Sequence, residues 1–142
     1  MREEIGDIWT HSGKAIIAIT TSGSLTRKGQ AVLGNGVTRQ AVARYPLLAE
    51  LLGAMIREQG NHVFFLGSGL VSFPVEETAW SQPDLRLISR SAKELKLLAD
   101  VHGWLRVIVP RPGCGGGGLP WNSVEPLLSP WLDNRFTIIS QQ

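Results

Sequence analysis

The sequence predicts an α/β sandwich, a largely buried mixed or parallel sheet covered by helices, formed by one domain over residues 1–142. Two observations carry this. Short apolar runs rich in β-branched residues alternate with segments of helical period, which is the pattern of strands interleaved with covering helices. No linker or internal repeat divides the chain, and its 142 residues match the roughly 100 to 150 commonly organised around one core.

The elements follow in order. "KAIIAIT", Lys14 to Thr20, is a buried strand ending in Thr, Ser and Gly. A long loop from Thr21 to Gly36 leads to helical spacing from Val37 to about Gln59, where Gly60 stops it. Pro46 divides that stretch in two, because it has no N–H and restricts Tyr45 before it. "HVFFLG" and "LVSFP", separated by Gly-Ser-Gly, form either a hairpin or one interrupted strand. The next helix, from Ser81 to Gly103, has Ser81 as expected N-cap, Pro83 in its first turn and Asp84 near the positive end of its dipole. "LRVIVP", Leu105 to Pro110, is another buried strand. A helix over Asn122 to Asp133, capped by Asn122 or Ser123, and a strand over Arg135 to Ser140 complete the chain.

Composition removes several classes of function. With 43% hydrophobic and 18% charged residues the chain is an ordinary globular sequence. It has no apolar run of the ~18 residues that a membrane span requires, and "MREEIGDIW" is charged where a signal peptide is apolar, so a cytoplasmic protein is expected. Cys114 is the only cysteine, which excludes an internal disulfide. His11, His62 and His102 are too scattered for a zinc site, and no cofactor is expected. A net charge of +2 with dispersed Lys and Arg is too weak a footprint for duplex binding, yet suits a small anion.

Two loops run from a strand end into a helix start: Thr21 to Gly36, ending "LGNG", and Pro110 to Pro120, containing "GCGGGG". Such loops aim backbone N–H groups at one point, and the helix dipole adds roughly half a positive charge there. Glycine lets the backbone approach a phosphate and adopt left-handed conformations. The alternative is a merely adaptable turn. No Gly-Lys-Ser/Thr follows, so this is not a Walker loop. Two such loops on one sheet edge can grip a diphosphate. Asp7 in "GDIW" is either a turn carboxylate or an acceptor for the amino group of a base.

Taken together, "GDIW", "LGNGVTRQAVARYP", "VSFPVEETAW" and "RPGCGGGGLPW" resemble, in order and over nearly the whole chain, motifs of the macro domain family of ADP-ribose-binding modules, in particular a bacterial and phage-related branch. The resemblance implies a three-layer α/β/α sandwich with a mixed central sheet and ADP-ribose lying across the strand ends. It assigns the adenine amino group to Asp7, with the backbone of Ile8 beside it. Gly34, Asn35, Gly36 and Val37 would approach the distal ribose and diphosphate. Gly113, Cys114, Gly115, Gly116 and Gly117 would complete the phosphate grip, with Cys114 a small, mostly buried loop residue.

The sequence departs from that branch where catalysis is concerned. "TTSG" stands in place of "TTNG", which puts Ser22 at the site instead of an asparagine amide. Glu76 stands in place of the lysine of "FP-x-K", and Gly116 and Gly117 occupy positions where some hydrolysing relatives carry an acidic residue. Binding of ADP-ribose, or of ADP-ribosyl groups on a protein or nucleic acid, is therefore the expected function, with nucleic acid a partner only if so modified. ADP-ribosyl hydrolysis, with Glu76, Glu77 or Asn35 orienting a water, is the alternative. A third reading is a diverged fold acting as a protein-interaction domain, which Trp9, Trp80, Trp104, Trp121 and Trp131 would support if several shared one exposed apolar patch.

Overall fold

A computed structural model describes residues 1–141. Its centre is a six-stranded sheet of β1 (Arg2–Ile5), β2 (Ile16–Ser22), β3 (Phe65–Gly67), β4 (Leu70–Glu76), β5 (Val107–Pro110) and β6 (Phe136–Ser140), in the order β1-β6-β5-β2-β4-β3. Every neighbouring pair is parallel except β3 and β4. The mixed sheet agrees with the sequence.

Side chains alternate between two covered faces, as a strand's period of two requires. Ile17 and Ile19 of β2, Ile108 of β5 and Ile139 of β6 join Leu48, Leu52 and Ile56 of α2 (Leu48–Gln59) and Ala41 of α1 (Val37–Arg44). On the opposite face Ala18, Phe73, Val107, Val109, Phe136 and Ile138 pack against α3 (Leu85–His102) and α4 (Trp121–Leu128), through Ile88, Ala92, Leu95, Val124 and Leu128. The result is the expected three-layer α/β/α sandwich.

Pro46 divides the first helical stretch as expected: α1 stops at Arg44, Tyr45 is extended, and α2 begins at Leu48. The Gly-Ser-Gly stretch is a hairpin, with Ser68 at φ 52° and Gly69 at φ 74°, the left-handed pair that matches strand twist in a two-residue turn.

Four expectations need correction. β1 was not foreseen: all four of its residues are exposed, so it carries no hydrophobic period. The N-cap of α3 is Asp84, not Ser81. Asp84 Oδ1 accepts from the N–H groups of Arg86 at 2.8 Å and Leu87 at 3.4 Å, whereas the Ser81 hydroxyl donates to the Thr78 carbonyl, so Pro83 precedes the helix. α4 starts at Trp121 behind Pro120, with neither Asn122 nor Ser123 as cap, and ends at Leu128, because Ser129 is followed by Pro130. The loop after β2 is shorter than expected, since Thr21 and Ser22 belong to the strand and Leu25 bridges Ala31.

Candidate functional site

The carboxyl ends of β1, β6, β5, β2 and β4 all open on one side of the sheet, and a cleft of 940 Å³ runs across them. Strands lie about 4.8 Å apart, so four spacings separate the β1 end from the β4 end by roughly 19 Å. The length is set by topology.

Asp7 and Ile8 line the β1 end. Asp7 caps a single 3₁₀ turn, Ile8–His11, with Oδ1 accepting from the Trp9 N–H at 2.9 Å; Oδ2 has no partner among the described residues. The turn reading of this residue holds for one oxygen, and the other is left without a partner among the described residues.

Next to β2 come Ser22, Gly34, Asn35, Gly36 and Val37. Ser22 is buried and its hydroxyl faces the Ser24 N–H at 3.4 Å. α1 is tied to β2 where Thr38 Oγ1 donates to the Thr20 carbonyl at 2.7 Å. Its N-cap is Gly36, at φ 64° and without a side-chain cap, so the positive end of the helix opens on the cleft. Asn35 is exposed and makes no hydrogen bond among the described residues.

Gly113 to Gly117 follow β5 and line the cleft together, Cys114 included. The loop is closed by Gly118 N–H to the Gly115 carbonyl at 3.1 Å and Leu119 N–H to the Gly113 carbonyl at 2.9 Å. The N–H groups of Gly115, Gly116 and Gly117 have no partner among the described residues. Cys114 is half-buried rather than mostly buried. Burial pushes its thiol pKa up and Arg111 only partly offsets this, while no histidine is among the described residues that line the cleft.

The glycines divide into two kinds. A side chain on Gly117 would meet Pro83 Cγ at 2.5 Å and the Gly113 carbonyl oxygen at 2.7 Å, and one on Gly113, itself at φ 74°, would meet Leu119 at 2.9 Å. These two are required by the fold. Gly34, Gly115 and Gly116 are different: none has a left-handed φ, and a Cβ on any of them would touch nothing within 4 Å. Neither a steric contact nor a left-handed φ requires glycine at these three positions, and all three line the cleft.

Arg111 and Trp80 also line the cleft; from the sequence, Trp80 enters only as one of five tryptophans of a conditional apolar patch, and Arg111 has no role. Arg111 is the one Lys or Arg among the described lining residues; its guanidinium lies 4.9 Å from the Trp121 ring centre and 3.6 Å from Glu3. A strand-end arginine two residues before a glycine loop was the available signal. Glu76 closes the β4 end, where burial raises its carboxyl pKa. Asn61 Nδ2 holds the Glu76 carbonyl at 3.1 Å. The five tryptophans share no exposed patch: Trp9 is buried, Trp104, Trp121 and Trp131 are half-buried, and only Trp80 is exposed.

No family model and no curated protein sequence matches the chain. Solved structures do. The macrodomain of Mycobacterium tuberculosis DarG superposes with a TM-score of 0.80 at 21% identity, covering 99% of this chain and 97% of that one. The macrodomain of Thermus aquaticus DarG gives 0.73 at 17% identity, with 99% and 97% covered. Thermosipho africanus DarTG, in complex with ADP-ribose, gives 0.76 at 17% identity over 97% of this chain, which spans 41% of that longer chain. The fold is that of a macrodomain.

Proposed function

We propose that the chain binds ADP-ribose, free or as an ADP-ribosyl group on a macromolecule, across the strand ends. The observation that carries this is the set of glycines, Gly34, Gly115 and Gly116, whose missing side chains leave open space along the cleft where neither a steric contact nor a left-handed φ requires glycine. Free N–H groups on the glycine loop after β5 and the uncapped start of α1 are suited to the two phosphates. Asp7, just past the end of the outermost strand, has an oxygen for a base amino group, and the roughly 19 Å between the β1 and β4 ends accommodates an adenine, a diphosphate and a second ribose in line. The similarity to a structure with ADP-ribose bound supports the same reading.

Calorimetric titration with ADP-ribose tests it. Saturable heat that disappears in Gly116→Val, with the fold intact by circular dichroism, is the expected result; no heat at ligand concentrations on the order of 1 mM overturns it.

Hydrolysis is the second reading, favoured by one observation: Glu76 lines the cleft at the end opposite Asp7 with a carboxyl whose pKa is raised by burial, the direction that suits proton transfer near neutral pH. Release of ADP-ribose from a modified substrate is the readout. An equal, background rate in the native chain and Glu76→Gln removes Glu76 from the chemistry.

A further inference from the structure

The β4 end of the cleft carries groups that a diphosphate and a neutral sugar do not use. Trp80 lines the cleft and is 83% exposed. A single exposed apolar residue is ordinary, but the backbone that presents this one is fixed. The Ala79 N–H donates to Ser24 Oγ at 2.8 Å, the Thr78 N–H to Ser81 Oγ at 3.1 Å, and the Asp84 N–H to the Val75 carbonyl at 2.8 Å. The loop is thereby tied both to the segment after β2 and to β4. No aromatic or cationic side chain among the described residues stacks on the indole, whereas Trp9, Trp121 and Trp131 each have an Arg or Lys over the ring.

Among the described residues that line the cleft at this end, Glu76 carries the only charge, while Arg90 nearby is engaged by the Asn61 carbonyl and Glu94. Glu76 lines the cleft on the same stretch of chain, and Glu77 follows it. Arg111 belongs to the end of β5, two strands away, or about 10 Å, and is already engaged by Trp121 and Glu3. An open aromatic face and a carboxylate on one stretch of the cleft wall, neither with an ion-pair or cation–π partner among the described residues, attract a flat positive group through the ring quadrupole and by direct Coulomb attraction. With adenine at Asp7, whatever is attached to the terminal ribose meets this end.

The geometry points to a subsite for a planar cationic group carried on the terminal ribose of an ADP-ribosyl ligand, with Trp80 as its stacking face and Glu76 as its counter-charge. The inference rests on the ADP-ribose reading above. Two groups have this chemistry: the pyridinium of an oxidised nicotinamide dinucleotide and the guanidinium of an ADP-ribosylated arginine.

NAD⁺ and NADH form a matched pair, nearly equal in size, in which only the first bears a flat cation. The native chain is expected to bind NAD⁺ about 3- to 10-fold more tightly. This preference runs against the overall field, because NADH is the more anionic of the two and the chain carries a net +2. Trp80→Ala, at an exposed position, brings the ratio of the two dissociation constants to about one, Trp80→Phe retains part of the preference, and Glu76→Gln narrows it. An arginine-linked ADP-ribosyl peptide compared with its serine-linked counterpart gives the parallel test for guanidinium. Preference in the first pair supports the subsite and identifies a free dinucleotide as its source, and preference in the second supports it with a modified arginine. Equal affinities within both pairs, or a preference that survives Trp80→Ala, overturn the subsite while ADP-ribose binding stands. Failure of the native chain to bind ADP-ribose itself overturns both.

Discussion

A glycine's reason for being glycine can be separated into what the fold needs and what the cleft needs, and the two make opposite predictions for the same substitution. Gly117→Ala drives a methyl into Pro83 and the Gly113 carbonyl, neither of which is the end of a flexible side chain. It is expected to lower unfolding free energy by about 1–3 kcal/mol in urea titrations. Gly116→Ala has room and an ordinary φ, so stability should hold or rise by about 0.4–1 kcal/mol through the unfolded chain's lost freedom, while ADP-ribose affinity falls. A comparable loss of stability in both variants would remove the distinction. Glu76 gives a second test at this scale. Burial raises its folded pKa above the ordinary value of 4.5, so the ionised form is disfavoured in the folded state. The sign follows from linkage: relative to a permanently neutral side chain, the native carboxylate loses stability as pH rises through its folded pKa and loses none below its unfolded one. Glu76→Gln should therefore raise the melting temperature at pH 7 to 8, the difference vanishing below about pH 4. A difference that grows on acidification would contradict this.

The elements differ in how openly the sequence declares them, and the reason is burial. β2, β4, β5 and β6 are strands whose two faces both meet helices, so their runs of Ile, Val and Phe are visible without any structure. β1 was invisible because its four residues are exposed and its place depends on backbone pairing with β6, which composition does not encode. Helix ends were read less well than helix bodies. Ser81 and Asp84 are both good caps in isolation; Ser81 is drawn into a turn with Thr78, which leaves Asp84 to take the N–H groups of α3. The cap is a testable assignment: Asp84→Ala should cost about 1 kcal/mol of unfolding free energy, and Ser81→Ala less. The reverse order would restore Ser81. The cleft-lining glycine segments were legible because they sit in two loops that follow the buried strands β2 and β5, and the sheet order brings those loops to one cleft. Arg111 was not, since its ion pair with Glu3 joins the end of β5 to β1, at the other end of the sequence.

At the scale of the molecule, strand order converts position along the sheet into position along the cleft. The first strand of the sequence and the ends of β5, β2 and β4 lie in the spatial order β1-β6-β5-β2-β4, so groups far apart in the chain line successive parts of one cleft. This arrangement makes the effect of a substitution depend on ligand length. ADP lacks the terminal ribose, which on the proposed reading is the part of ADP-ribose that lies toward β2 and β4. Asp7→Ala removes an acceptor at the end both ligands share, and is expected to weaken ADP and ADP-ribose by the same factor, about 10 or more. Asn35→Ala removes an exposed amide that has no hydrogen-bond partner among the described residues, so stability is untouched. It should weaken ADP-ribose by about 3- to 10-fold and leave ADP within about 2-fold, the size of one hydrogen bond to a sugar hydroxyl. Titrating both ligands against both variants gives a two-by-two comparison in which the interaction, not the absolute affinity, carries the orientation. If Asn35→Ala weakens the two ligands equally, or Asp7→Ala affects only the longer one, the ligand does not run from β1 toward β4, and the subsite at Trp80 would have to face the base instead of the terminal sugar.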